Sequence, residues 1–287
     1  MPNIKLLQPT SLVEALSLLS AQSDETKIVS GGTALVIMLR NRLITPATLL
    51  SLGRLSELRS IRHEPGVGLR IGALATIREA ETSPVVREKQ PMLGQTFGKV
   101  GNVRIRHAAT VGGNLSESDY ASDPPCVLVA LRARVKARSA EGEREIPLTD
   151  FFKSFYETAL APDEILTELI VPDLAPGTRA TYLKYVSRSS EDRPCVGMAL
   201  VVEDQADGRC KHLRLVAGAV SETPQEIASA EAMAAGKHLS AAVIADIADA
   251  YSTAIEPLSD LRGSAWYRKQ IIRVMARRAM QQALAEK

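Results

Sequence analysis

Cys126, Cys195 and Cys210 are the only cysteines in the 287 residues, and no two of them stand as C-x-x-C. Such isolated thiols exclude a zinc or iron–sulfur site built by this chain alone, and they read as buried side chains. His63, His107, His212 and His238 are scattered, with no H-x-x-x-H spacing that would pair two on one helix face as metal ligands. Any redox work therefore needs a bound organic cofactor. An excess of one charge is also missing. The 35 basic and 33 acidic residues leave a net charge of +2, which gives no electrostatic footprint for nucleic acid or for an anionic membrane. No apolar run approaches the roughly 18 residues that would span a bilayer; one of the longest, residues 34–39, stops at Arg40. Residues 1–5 show no charged segment followed by an apolar one, so a cytoplasmic location is expected. Neither a Walker A loop nor the G-x-G-x-x-G dinucleotide fingerprint occurs, and there is no internal repeat or low-complexity segment.

Hydrophobic residues make up 45% of the chain and charged ones 24%, the profile of an ordinary globular protein with material for real cores. The length suits one large domain or two to three small ones. Residues 11–20 read as a helix, with Leu12, Leu16 and Leu19 on one face behind a Thr10 or Ser11 cap. Residues 27–30 read as a short buried strand that runs through Gly31-Gly32 into a helix over 33–41. Residues 48–52 and 68–73 are strand-like. Thr76 and Glu79 have capping-box spacing, and 85–97 reads as one helix. Residues 110–114 read as a tight glycine-rich turn, and 127–138 as strand, although the arginine–alanine alternation there also permits helix. Residues 164–171 form a strand stopped by Pro172. The Pro-Asp-Leu-Ala-Pro-Gly run at 172–177 is the clearest boundary in the chain. Beyond it lie three strand-like runs, 181–186, 196–203 and 212–220. Three helical stretches follow, near 224–235, 241–255 and 265–284. Strands followed by helices indicate an α+β unit with helices on one sheet face.

Two glycine pairs carry the chemistry. In the first, Ile28, Val29 and Ser30 lead through Gly31 and Gly32 to Thr33, Ala34 and Leu35. A strand, two glycines and a helix start aim consecutive N–H groups into one concavity and so suit a pyrophosphate. A plain strand–helix turn has the same letters. In the second, Thr110-Val111-Gly112-Gly113-Asn114 precedes Asp123-Pro124-Pro125. Asn114 and Thr110 offer side-chain hydrogen bonds, and Asp123 is a fixed acceptor for ribityl or ribose hydroxyls. The alternative is a polar surface loop.

Taken together, the two segments, about 80 residues apart, resemble the FAD-binding medium subunit of the molybdenum hydroxylase family, which includes the xanthine and carbon monoxide dehydrogenases. The likeness extends to the opening Asn3-Ile4-Lys5-Leu6, to Ile71-Gly72-Ala73-Leu74, to Arg106-His107-Ala108-Ala109, to Glu164-Ile165-Leu166 and to Tyr182-Leu183-Lys184, so it covers nearly the whole chain. It implies an α+β fold in which a two-subdomain FAD-binding unit of the PCMH type (residues 1–55 and 56–175) precedes an α+β C-terminal domain (176–287) with a three-stranded antiparallel sheet and helices. It implies noncovalent FAD held by residues 28–35 and by Thr110, Gly112, Gly113 and Asn114. Asp123 would hold sugar hydroxyls, Leu166 would pack near the flavin and Lys184 would make a polar contact with FAD. It also implies a 2Fe–2S small subunit and a molybdopterin large subunit as partners, in a heterotrimer or its dimer. Ala34 departs from the family, which often carries serine or an acid there. Residues 188–194, near the flavin by resemblance, offer Arg193, which either tunes the flavin or pairs with Glu191 at the surface. The basic residues from Arg268 to Arg278 are expected on one solvated helix face, with partner docking as the alternative, and Trp266 and Tyr267 are expected to pack. A self-sufficient flavin oxidase and a noncatalytic scaffold that has lost FAD are the rival readings.

Overall fold

The structure, a computed structural model, describes residues 4–285. Met1, Pro2 and Asn3, and with them the start of the opening segment, lie outside the described residues. The first part of the chain forms a small parallel sheet. Its strands β1 (Lys5–Leu7), β2 (Thr26–Val29) and β3 (Thr48–Ser51) lie in the order β1-β3-β2. Between them run α1 (Leu12–Ala21) and α2 (Leu35–Arg40). Ser11 caps α1 by accepting the N–H of Glu14, and the apolar stripe Leu12, Ala15, Leu16 and Leu19 is buried, as its helical spacing requires. Only Thr26 of β2 is buried, so this strand is less enclosed than its apolar letters indicate.

The middle of the chain carries β4 (Ile61–Glu64), β5 (Gly68–Gly72), α3 (Ile77–Thr82), α4 (Pro84–Lys89), α5 (Pro91–Phe97), α6 (Val103–Ala108), α7 (Val111–Glu117) and α8 (Asp123–Ala130). There follow β6 (Arg134–Arg138), β7 (Glu143–Pro147), α9 (Leu148–Phe151), the hairpin of β8 (Phe152–Ser154) and β9 (Glu157–Thr158), and β10 (Ile165–Val171). Five of these strands form an antiparallel sheet ordered β4-β5-β10-β6-β7. The capping box at Thr76 and Glu79 is present in full.

Three expectations for this region need correction. The single helix over 85–97 is two helices, because Pro91 lacks an N–H and bars Gln90 from helical geometry (φ −140°, ψ 67°). The strand expected over 127–138 is the helix α8, a left-handed turn at Arg132 (φ 56°) and only then β6. Its Asp123-Pro124-Pro125 start suits a helix, because prolines are well placed in a first helical turn, where no N–H is needed and φ is already set. The glycine-rich turn at 110–114 is the cap and first turn of α7, with Thr110 accepting the N–H of Gly113 at 3.1 Å.

The third part has β11 (Arg179–Tyr185), β12 (Val196–Asp204), β13 (Cys210–Gly218) and β14 (Gln225–Glu226) in one antiparallel sheet, followed by α10 (Ala228–Glu231), α11 (Ala241–Ala254) and α12 (Ala265–Ala285). The sheet therefore has a fourth, two-residue strand where helix was expected near 224–235. The alternation of β12 serves two cores. Ala199 and Val201 pack into the middle core with α8, while Met198, Leu200 and Val202 pack under α11 and α12. A strand buried on both faces reads as a continuous apolar run, which is why residues 196–202 look uniform in sequence. The basic stretch of α12 is not one solvated face. Arg268 is 0% exposed and pairs with Asp260 at 2.7 Å, and Arg273 and Arg277 pair with Asp249. A guanidinium can be buried when a carboxylate and carbonyl oxygens meet its donors, and Arg268 also donates to the carbonyls of Cys195 and Leu258. Tyr267 packs as expected, against Tyr185, while Trp266 is 71% exposed.

Candidate functional site: two glycine segments joined by a hydroxyl pair

The fold brings the two glycine segments into contact. Ser30, just after β2, shares a hydrogen bond with Thr110, the cap of α7, with the two hydroxyl oxygens 2.9 Å apart. Gly31 rests against the end of α6, where a Cβ would fall 2.0 Å from the Ala108 carbonyl oxygen. Gly113 faces the hydroxyl pair, and a Cβ there would lie 2.7 Å from Ser30 Oγ and 2.8 Å from Thr110 Oγ1. Gly112 lies against Ala73, with 2.6 Å available to a Cβ. Gly32 has φ +69°, a left-handed conformation that glycine adopts without cost.

The backbone donors of the two segments are in opposite states. Among the described residues, the N–H groups of Gly31, Gly32, Thr33, Ala34 and Leu35 have no acceptor in the chain; the first bond of α2 is Val36 N–H to the Gly32 carbonyl. Ala34 stands at the cap position and makes no side-chain bond. The second segment is spent. Val111 N–H goes to Ala75, Gly112 to Ala73, Asn114 to the Thr110 carbonyl and Gly113 to the Thr110 hydroxyl. The Asn114 side chain is engaged with Ser122, donating at 2.9 Å and accepting at 3.1 Å.

Next to Ser122, Asp123 opens α8 and is 4% exposed. One carboxylate oxygen accepts from the Tyr182 hydroxyl at 2.7 Å and the other from Lys184 Nζ at 3.0 Å. Burial pushes this carboxyl above its usual range; Lys184, the Tyr182 bond and Lys99 pull it back. Lys184 also donates to the Lys99 carbonyl at 2.7 Å, and Lys99 Nζ returns a bond to the Tyr182 carbonyl at 2.9 Å. Lys99 thus joins a group that sequence reading assembled without it; burial, and then Lys184, lower its pKa against the opposing pull of Asp123. Leu166 is 5% exposed and packs in the middle core. Arg193 does not pair with Glu191 but with Asp119, at 2.6 Å.

The rest of the chain offers little other chemistry. All three cysteines are free and buried, and burial raises the Cys126 thiol well above its usual range, which keeps it protonated. No group of His, Cys, Asp and Glu among the described residues is placed to hold a metal ion. His107 is exposed on α6. Among the described residues, no helix is long and apolar enough to cross a membrane.

Five unspent N–H groups in a row, beside glycines packed against a second segment, are the kind of arrangement that suits the phosphates of a nucleotide cofactor. Residues 2–174 match the model of the FAD binding domain in molybdopterin dehydrogenase, and residues 181–283 match the carbon monoxide dehydrogenase flavoprotein C-terminal domain. The chain belongs to this family of FAD-binding subunits of molybdenum hydroxylases. It is 32% identical over 281 residues to the glyceraldehyde dehydrogenase medium chain of Sulfolobus acidocaldarius, covering 98% of both chains. It is 32% identical over 283 residues to the 6-hydroxypseudooxynicotine dehydrogenase complex subunit alpha of Paenarthrobacter nicotinovorans, covering 99% of this chain and 95% of that one. Among solved structures, carbon monoxide dehydrogenase from Hydrogenophaga pseudoflava superposes with a TM-score of 0.94 at 31% identity, over 99% of this chain and 98% of that one. The protein is an FAD-binding oxidoreductase subunit.

Proposed function

We propose that this chain takes electrons from a 2Fe–2S subunit and yields them to NAD, oxygen or another acceptor, within a complex whose large subunit carries molybdopterin, as a heterotrimer or its dimer. The supporting observation is the run of unspent N–H groups at Gly31–Leu35, clasped to the Thr110 segment through Ser30. Residues 31–35 would hold the FAD pyrophosphate, with Ile28 and Val29 supplying the strand that positions them. Thr110, Gly112, Gly113 and Asn114 would form the wall against which the loop is set. Asp123 and Lys184 are tied to one another and to Tyr182. Their free lone pair and third ammonium hydrogen would serve the sugar or flavin polar edge, and Leu166 would back them from the core. FAD supplies the redox chemistry when bound; the protein binds, orients and tunes it. No side chain needs to act as general acid or base.

Two measurements test this. Acid precipitation of the purified protein should release all its yellow colour as FAD, and flavin retained in the pellet would refute noncovalent binding. Under anaerobic conditions, aldehydes and N-heterocycles should bleach the flavin only when the molybdenum and iron–sulfur subunits are added. Bleaching by this chain alone would replace the relay reading with that of a self-sufficient oxidase.

A further inference from the structure

The helix α2 is an anomaly in the fold. Arg40 is the only polar residue among its six, yet the helix has no buried residue. A helix apolar on all sides normally lies inside a protein. Here Val36 is 50% exposed, Ile37 57%, and Leu43 in the following turn 71%. Arg40 and Arg42 are exposed between them, and neither has a side-chain partner among the described residues. No Asp or Glu occurs in residues 26–56, so nothing in this stretch balances them. The Gly31 loop abuts α6, where Val103, Arg104 and Ile105 are exposed and residues 89–116 again contain no acid. Another exposed apolar group, Phe155, Tyr156 and Leu261, stands in a different setting, beside the closed ion pairs Arg193–Asp119 and Arg262–Asp260. Among the described residues, the α2 side joins several uncovered apolar side chains to positive charge that nothing in its own stretch balances.

We propose that the outer side of α2 and its following turn, residues 36–43, dock the iron–sulfur subunit through an acidic surface with an apolar centre on that subunit. This rests on the relay reading above, which requires such a partner. The occupant follows from position as well as charge. The face begins where the proposed cofactor loop ends, so a protein seated on it stands beside the bound FAD, to which an electron donor has to come close. The apolar centre would supply affinity, and the arginines would steer association and fix orientation. Association should accordingly weaken as salt rises.

The test uses the complex assembled by co-expression with its molybdenum and 2Fe–2S subunits. The double variant Ile37→Glu, Leu43→Glu should associate with the 2Fe–2S subunit about 100-fold more weakly or worse, while the chain alone keeps its FAD, which also reports that it folds. The variant Leu261→Glu, at a side chain 97% exposed, should assemble like wild type. Unchanged assembly of the double variant would overturn the proposal. Loss of FAD from the double variant would do so too, by making the face part of the cofactor site. A wild-type homodimer that the double variant abolishes would show a second copy of this chain as the occupant instead. If the wild-type chain holds FAD but takes up no 2Fe–2S subunit at all, the relay reading itself fails, a result separate from failure of this face alone.

Discussion

Residues 31–35 leave their N–H groups without acceptors in the chain, whereas residues 111–114 have every N–H taken up by the protein itself. Both segments hold two adjacent glycines at the start of a short helix, ahead of α2 in the first and within the first turn of α7 in the second. The difference lies in what surrounds them. The second segment is bridged at Thr110 to Thr76 and seated on Ala73 and Ala75, so its glycines exist to let two stretches of backbone meet. The first meets this second segment through Ser30 and rests on Ala108, and its donors stay open. One glycine motif therefore keeps an open row of donors, the cradle of the proposed site, and the other is a packed wall; the Ser30–Thr110 pair joins them. The second lacks the free donors of an anion site.

Gly31 gives the largest expected effect, because it serves both parts. A Cβ 2.0 Å from a carbonyl oxygen forces backbone apart. Gly31→Ala should lose stability at or above the upper end of the about 1–3 kcal/mol typical of overpacking. FAD affinity should fall about 100-fold as the loop leaves α6. Thermal melts and FAD titration of the apo protein measure the two effects. Wild-type affinity in this variant would mean that the contact with Ala108 does not set the loop.

Gly112 and Gly32 separate the roles. Gly112→Ala, with Ala73 only 2.6 Å from the new carbon, should cost about 1–3 kcal/mol in the melting of the apo protein and change FAD affinity little. Gly32→Ala puts a side chain at φ +69°, a strain of about 1–2 kcal/mol, in a loop with few intrachain bonds. Its effect should appear as FAD binding weakened about 5–30-fold, with the apo melt nearly unmoved. If both variants lose stability alike and bind alike, the contrast between cradle and wall is wrong.

The clasp itself is worth less. Thr110→Val removes both the α7 cap and the bond to Ser30, and should cost about 1 kcal/mol. Ser30→Ala removes the shared bond alone, for about 0.5–1.5 kcal/mol. If the hydroxyl pair is what couples the segments, the double variant should cost clearly less than the two single changes added together. Strict additivity would show the pair to be a contact without coupling.

Much of this was legible in the sequence. The α1 stripe, the Thr76 capping box, the three long strands of the last sheet and the two long helices after it follow from periodicity and capping rules, which are local. What was hidden depends on distant partners. Nothing near Gly112 reveals that its N–H is met by Ala73, so a turn and a capped helix start share the same letters. Asp123-Pro124-Pro125 suits a helix start or a strand entry equally until α8 finds β12 and β13 to cover it. Arg268 looks solvated because its partner, Asp260, lies outside the helix pattern. Lys99 is an ordinary lysine until β11 brings Tyr182 and Lys184 beside it. The candidate site residues come from resemblance, and their division into open donors and spent ones is visible only in the three-dimensional hydrogen bonds.

The smallest effect sharpens the comparison at Ala34. The residue holds the cap position of α2 with φ −95° and ψ −50° and contributes no side-chain bond. The N–H groups that a capping oxygen would usually serve, those of Val36 and Ile37, already reach the Gly32 and Ala34 carbonyls. A serine here therefore has little to add to the free protein, and the melting temperature of apo Ala34→Ser should match wild type. If the loop is a phosphate cradle, the hydroxyl offers one more donor to the bound pyrophosphate. A net hydrogen bond of about 0.5–1.5 kcal/mol should tighten FAD about 2–10-fold. Titration of FAD into apo Ala34→Ser should show this tightening beside an unmoved melt. If Ala34→Ser binds no more tightly than wild type, the open N–H groups at residues 31–35 do not face the phosphates.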